Sequence, residues 1–328
     1  MPDSLERVYY SPKWLPGGHL QTIYPALFAP RPKVEFRRER WHTPDHDFID
    51  VDFLDGAAGK PFVVMFHGLE GSSGSHYAQA LFATLRELGW SGAVPHFRGC
   101  SGELNQAPRF YHSGDAAEIG WICARLHQQF RATNPTSAFY ACGVSLGGNA
   151  LLRWLGEASE ESRFVTAACA ISAPLDLAAG GASLSSGFNL VYTRNFLQTL
   201  KPKCVRKLQQ FPDLFDRNKM LGAKNLYEFD NIVTAPLHGY KNTDDYWHRA
   251  SAKHILNFIK VRTLILNAKN DPFLPPQFLP SSAASAVTLE YPQHGGHVGF
   301  ASGTMPGTLT WLPQRILHFL TQEAPLIE

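Results

Sequence analysis

Ser145 lies in the run Ala141-Cys142-Gly143-Val144-Ser145-Leu146-Gly147-Gly148-Asn149, after a strand-like stretch and at the head of a helix-like one. A Gly-x-Ser-x-Gly match is informative in that setting. A serine on a sharp strand-to-helix turn presents its hydroxyl above the edge of a sheet. Gly143 and Gly147 add no side chains to a turn that has no room for them. A chain that makes this turn is built of strands alternating with helices, and it is equipped to attack acyl groups.

The rest of the chain keeps that alternation. Residues 37–41 and 48–53 read as antiparallel strands about the turn-prone Pro44-Asp45-His46-Asp47. Residues 61–66 form an apolar run ending in a glycine loop, the pattern of a strand buried on both faces. A helix over 76–88, a strand over 90–96 and a helix over 113–130 follow, with Ala117, Ile119, Ile122 and Leu126 as candidate packing residues. Strands are expected at 137–144, 164–172, 261–268 and 287–291, and helices at 146–155 and 311–320. The fold class is therefore α/β, a mostly parallel sheet covered by helices on both sides. Residues 176–250 break the rhythm; aromatic and basic residues cluster there, helices are expected and no strand is visible. The expected division is an arm over 1–35 packed on the core, a core of 36–175 and 251–328, and a helical cap over 176–250.

Composition narrows the function. Lys plus Arg is 30 and Asp plus Glu is 28, a near-balance that leaves no footprint for nucleic acid. The cysteines Cys100, Cys123, Cys142, Cys169 and Cys204 contain no Cys-x-x-Cys pair, and three of them fall in apolar elements. Those three, Cys123, Cys142 and Cys169, read as small core residues, and the unpaired set points to a reducing compartment. Met1–Arg7 opens no apolar stretch of signal-peptide type, and no run approaches the ~20 residues that span a bilayer. The expected location is the cytoplasm, with peripheral membrane contact left open.

A serine hydroxyl is a weak nucleophile until a base takes its proton, and the base needs a carboxylate to orient it. In a sheet hydrolase the chain order is serine, acid, histidine. Asp271 follows one strand within Asn270-Asp271-Pro272-Phe273, and His297 follows the last within His294-Gly295-Gly296-His297-Val298-Gly299-Phe300. Asp176 competes for the acid role and is read as a helix cap; His294 competes for the base role and is read as a substrate or loop contact. The tetrahedral intermediate also needs donors. The backbone amides of Leu146 and of Leu69, in His67-Gly68-Leu69-Glu70-Gly71, are the candidates. His67 is expected to shape that loop. His67, Phe188, Tyr192, Phe196 and His294 are candidates for the substrate pocket, and for the three aromatics ordinary cap packing explains the sequence equally well. The loop 68–74 lacks the Gly-Lys-Ser/Thr ending of a P-loop, no dinucleotide fingerprint follows the early strands, and no His-Glu-x-x-His occurs. No cofactor and no metal are expected.

Several motifs together resemble the YheT-like esterases of the α/β-hydrolase superfamily, a group that also includes yeast medium-chain acyl ethyl ester synthase/esterases and animal lipases and phospholipases. They are Gly18-His19-Leu20-Gln21-Thr22, Phe66-His67-Gly68-Leu69-Glu70-Gly71, His96-Phe97-Arg98-Gly99-Cys100-Ser101-Gly102 and Tyr111-His112-Ser113-Gly114, besides the runs around Ser145, Asp271 and His297. The resemblance covers nearly the whole chain. It implies Ser145 as nucleophile, Asp271 as acid and His297 as base, and cofactor-free hydrolysis of short- to medium-chain acyl esters or acylglycerols. An acyltransferase or ester synthase with the same triad, or a phospholipase, are the alternatives. A non-catalytic binding module would be expected to lack one of the three residues.

Overall fold

The computed structural model describes residues 8–322. Eight strands form one sheet in the order β1-β2-β4-β3-β5-β6-β7-β8. They are β1 Arg37–His42, β2 Phe48–Leu54, β3 Phe62–Phe66, β4 Ser91–Pro95, β5 Phe139–Val144, β6 Ala167–Ile171, β7 Thr263–Leu266 and β8 Val287–Glu290. β2 pairs antiparallel with both β1 and β4, and every other pairing is parallel. The mostly parallel α/β architecture expected from the alternation is the one observed.

The composition of β3 accounts for its place. Phe62, Val64 and Phe66 enter one core layer, and Val63 and Met65 the other. A strand with apolar residues at both parities can sit only where helices cover both faces. α3 (Ala116–Thr133) and α4 (Leu146–Ala158) pack on the first face; α2 (His76–Glu87) and α11 (Trp311–Thr321) pack on the second. On α3 the buried apolar positions are Ala116, Ile119, Ile122, Cys123, Leu126 and Phe130. Ala117, expected to pack, is exposed instead; the interior face begins one residue earlier, directly after Asp115 at the cap position. Truncating Ile119 to alanine would cost about 2–5 kcal/mol, the usual penalty for a buried aliphatic side chain.

Between β6 and β7 the chain is helical: α5 (Leu177–Leu184), α6 (Leu190–Gln210), α7 (Arg217–Gly222), α8 (Leu226–Phe229), α9 (Ala235–Leu237) and α10 (Thr243–Ala250). The N-terminal segment carries a helix not foreseen from its proline and aromatic content, α1 (Gly18–Leu27). Pro25 lies inside it and interrupts the helical signal. Lacking an N–H, Pro25 leaves the Gln21 carbonyl without its usual helical partner, and the backbone of Gly299 comes in against that carbonyl: a Cβ at 299 would fall 1.8 Å from it. Residues 1–7 of the expected arm and 323–328 of the expected core lie outside the described residues.

Candidate active site

Register brings the carboxyl ends of the central strands level. Phe66 pairs with Gly143, Gly143 with Ala170, and Ile171 with Leu266. Ser145 follows β5 with φ 51° and ψ −121°, a strained backbone for a residue with a side chain. Its amide donates to Ile171 O at 2.8 Å. The turn has no room at position 147, where a Cβ would lie 2.5 Å from both Phe66 O and His67 O. Asn149, fully buried one turn into α4, donates to Ser113 O (2.9 Å) and Ala250 O (2.8 Å) and accepts from the Ala252 amide (3.0 Å).

Asp271 and His297 come from the loops after β7 and β8. His297 Nε2 is 3.0 Å from Ser145 Oγ, and His297 Nδ1 is 2.9 Å from Asp271 Oδ2. A carboxylate only accepts, so Nδ1 carries the imidazole proton and Nε2 is left to accept from the serine hydroxyl. The other carboxylate oxygen accepts from the Phe273 amide at 2.8 Å. The Phe273 ring lies over the imidazole, with centroids 3.9 Å apart and planes 21° from parallel. This is the arrangement of a serine hydrolase.

Asp176 serves elsewhere. It caps α5 by accepting from the Ala179 amide and it pairs with Lys253 Nζ at 2.5 Å. His294 is exposed, with Nδ1 3.5 Å from Asn270 Nδ2.

The loop after β3 leaves one amide free between two that are occupied. Tyr77 Oη accepts from Gly68 N–H and Tyr111 Oη from Glu70 N–H, at 2.9 and 2.8 Å. Among the described residues the Leu69 amide has no hydrogen-bonded acceptor, nor has that of Leu146, whose place at the start of α4 leaves it without a helical partner. His67 is fully buried. Its Nε2 accepts from the Phe97 amide (3.0 Å), so Nδ1–H donates to Gly68 O (2.7 Å). Burial holds its pKa down at about 3, and the ring stays neutral.

A cavity of about 130 Å³ opens at Ser145, room for roughly four waters at about 30 Å³ each. Most of its lining is apolar: Leu69, Leu146, Leu177, Phe196, Leu200 and Phe273 are among the residues that face it. Of the pocket candidates, only Phe196 is there. His67 is sealed beneath the loop, Phe188 is 54% exposed, and His294 faces solvent. Tyr192 donates or accepts at His19 Nδ1 (3.1 Å) and sets its ring edge against Phe273, behind the cavity wall. Aromatic content locates the cap but not which face of α6 turns inward.

The polar residues that hold the two catalytic loops were not assigned a role from sequence. Gln21 Oε1 accepts from the Gly295 amide (2.8 Å) and from Asn270 Nδ2 (2.9 Å), while its Nε2 donates to Leu15 O. Thr22 Oγ1 accepts from the His297 amide at 2.8 Å. One helix thus ties the acid loop to the base loop. The available signal was the Gly18–Thr22 run itself, one of the motifs that carry the family resemblance. A second link joins the loop after β3 to the cap: Glu70 Oε1 accepts from Tyr111 Oη (2.9 Å) and Lys203 Nζ (2.8 Å). Among the described residues, no group of three or more His, Cys, Asp and Glu is arranged to hold a metal ion.

Comparison with known proteins follows the same lines. Residues 61–304 match a family model described as the alpha/beta hydrolase fold. The chain is 40% identical to YheT of Escherichia coli (strain K12) over 310 residues, 92% of this chain and 90% of that one. It is 29% identical to Phospholipase ABHD3 of Mus musculus over 324 residues, 95% of this chain and 78% of that one. Among solved structures, the esterase EaEST from Exiguobacterium antarcticum superposes with a TM-score of 0.55 at 17% identity, covering 87% of this chain and 100% of that chain.

Proposed function

The chain belongs to the alpha/beta hydrolase fold family, close to the bacterial YheT-like esterases, and from that premise we propose that this carboxylic ester hydrolase cleaves short- to medium-chain acyl esters or acylglycerols through an acyl-enzyme on Ser145. The observation that carries the reading is the chain of contacts from Ser145 Oγ through His297 to Asp271, at 3.0 and 2.9 Å. Ser145 Oγ attacks the ester carbonyl while its proton passes to His297 Nε2. Asp271 holds Nδ1–H and stabilises the imidazolium that results. The amides of Leu69 and Leu146 receive the oxyanion. The imidazolium then protonates the leaving alcohol, and water activated by the same nitrogen frees the acid. The apolar cavity supports an acyl chain as the group bound beside Ser145, and the mouse relative's name, a phospholipase, supports lipid esters as a class.

A panel of nitrophenyl esters of increasing acyl length tests the reading. Turnover is expected to fall by at least about 10³-fold in Ser145→Ala, and labelling by a fluorophosphonate to disappear with it. Wild-type-like turnover in that variant would remove Ser145 from the mechanism. The same apolar lining favours a second reading, in which an alcohol replaces water and the acyl group is transferred. Adding a medium-chain alcohol to the assay and measuring the new ester against free acid separates the two.

A further inference from the structure

α1 turns an apolar stripe outward. Leu20 and Leu27 are 49% and 64% exposed, with half-buried Ile23 and Tyr24 between them at helical spacing, and Phe28 follows at 67%. The stripe continues onto the cap, since His19 contacts the exposed Phe188 (ring centroids 4.6 Å apart) and Val191 is exposed beside it on α6. Tyr24 packs against Trp14, but among the described residues no element covers Leu20, Leu27 and Phe28. Most of the charge near it in the chain is positive. Residues 8–34 contain Lys13, Arg31 and Lys33 and no Asp or Glu, and residues 177–212 also contain no Asp or Glu. Exposed Glu35 is the one acid that follows directly on the first segment. Among the described residues, the side chains of Lys13, Arg31, Lys33 and exposed Arg194 make no ion pair. The face also adjoins the site: Tyr192, next to Val191, touches Phe273, the ring stacked on His297.

We propose that the outer face of α1 and the start of α6 dock on an anionic lipid surface, with the apolar stripe entering the headgroup boundary and the flanking cations facing the phosphates. Helices that lie in membrane interfaces carry this combination of an apolar face and surrounding Lys and Arg. Charge complementarity favours a lipid surface over a second copy of the chain, whose matching face would bring like charges together. For its use the inference rests on the lipid-ester reading; its test does not, because binding is measured without turnover.

The protein is to be sedimented with phosphatidylcholine vesicles, with and without phosphatidylserine. Phosphatidylserine is expected to tighten binding by about tenfold or more, since each cation near an anionic surface contributes about fivefold. Leu27→Asp together with Phe28→Asp should weaken binding at least about tenfold while hydrolysis of a soluble nitrophenyl ester is unchanged. Arg194→Glu should reduce the phosphatidylserine dependence alone. Unchanged binding in the double variant overturns the proposal, as does equal binding to both vesicle types. A wild-type dimer that the double variant dissociates, with no vesicle binding, would assign the face to pairing of two copies and overturn it as well. Loss of ester turnover in the wild type would overturn the catalytic reading and leave the vesicle result standing.

Discussion

At Asp271 both carboxylate oxygens are committed, Oδ2 to the His297 ring and Oδ1 to the Phe273 amide, in a side chain that is only 1% exposed. An amide in its place would present an N–H or an oxygen to Nδ1 and would carry no charge to stabilise the imidazolium. Asp271→Asn is therefore expected to lower kcat by about 10⁴-fold at neutral pH with little change in KM, as steady-state kinetics on a soluble ester would read. Thr22 acts on the same residue through its backbone amide. Thr22→Val keeps the side-chain shape but removes the acceptor of the His297 amide, leaving a polar group without its partner at a cost of about 1–3 kcal/mol. A displaced ring loses alignment with Ser145 Oγ, so kcat should fall about 10- to 100-fold. Thr22→Ser retains the hydroxyl and should recover most of it; equal loss in both variants would assign the effect to packing alone.

Elements carry these residues to the site. α1 is held by backbone contact rather than by a large apolar interface: Gly299 lies against the Gln21 carbonyl, and Gln21 spans from the Asn270 side chain to the Gly295 amide. α6 performs a comparable task for the loop after β3. Lys203 reaches down from the cap to Glu70, which adopts φ 56° directly after Leu69. Lys203→Met would leave the Glu70 carboxylate, 8% exposed, with Tyr111 but no cation. The amide of Leu69 would then be less firmly placed where charge develops in the transition state. A fall of about tenfold in kcat, with KM nearly unchanged and activity recovered in Lys203→Arg, is the expected pattern. A rise in KM at constant kcat would instead make Lys203 a substrate contact.

At the scale of the whole molecule, buried histidines join distant parts of the chain. His76, at the start of α2, donates from Nε2 to Val298 O at 2.9 Å, across 222 positions of sequence. Burial lowers its pKa to about 4. In the unfolded chain the same ring titrates near about 6.5, so as pH falls the unfolded state binds the proton first. Its contribution to stability is complete above about pH 6.5 and is lost as pH drops towards about 4. Between neutral pH and about pH 5.5 the wild type should lose about 1.2 kcal/mol more than His76→Gln, whose amide can keep a donor for Val298 O. Urea midpoints of the two proteins at both pH values check this, and parallel losses would contradict it.

The sheet and the serine–histidine–aspartate set were legible in sequence because their signals are local. β3 and β5 announce themselves by apolar residues at both parities, and the nucleophile turn by glycines within two residues of Ser145. Asp271 could be chosen because chain order and strand ends restrict the candidates; between His294 and His297, which share one loop, the family resemblance helped to decide. The role of Gln21 and Thr22 could not be read that way. Their partners lie some 250 to 275 positions further on, and nothing about a glutamine or threonine tells which amide it will meet. Nor does a run of aromatics say which of them face the cavity: Phe196 does, while Phe188, eight residues earlier, lies at the surface. Those outcomes depend on how helices rotate and loops converge when the chain packs, and short-range preference in the backbone carries no information about either.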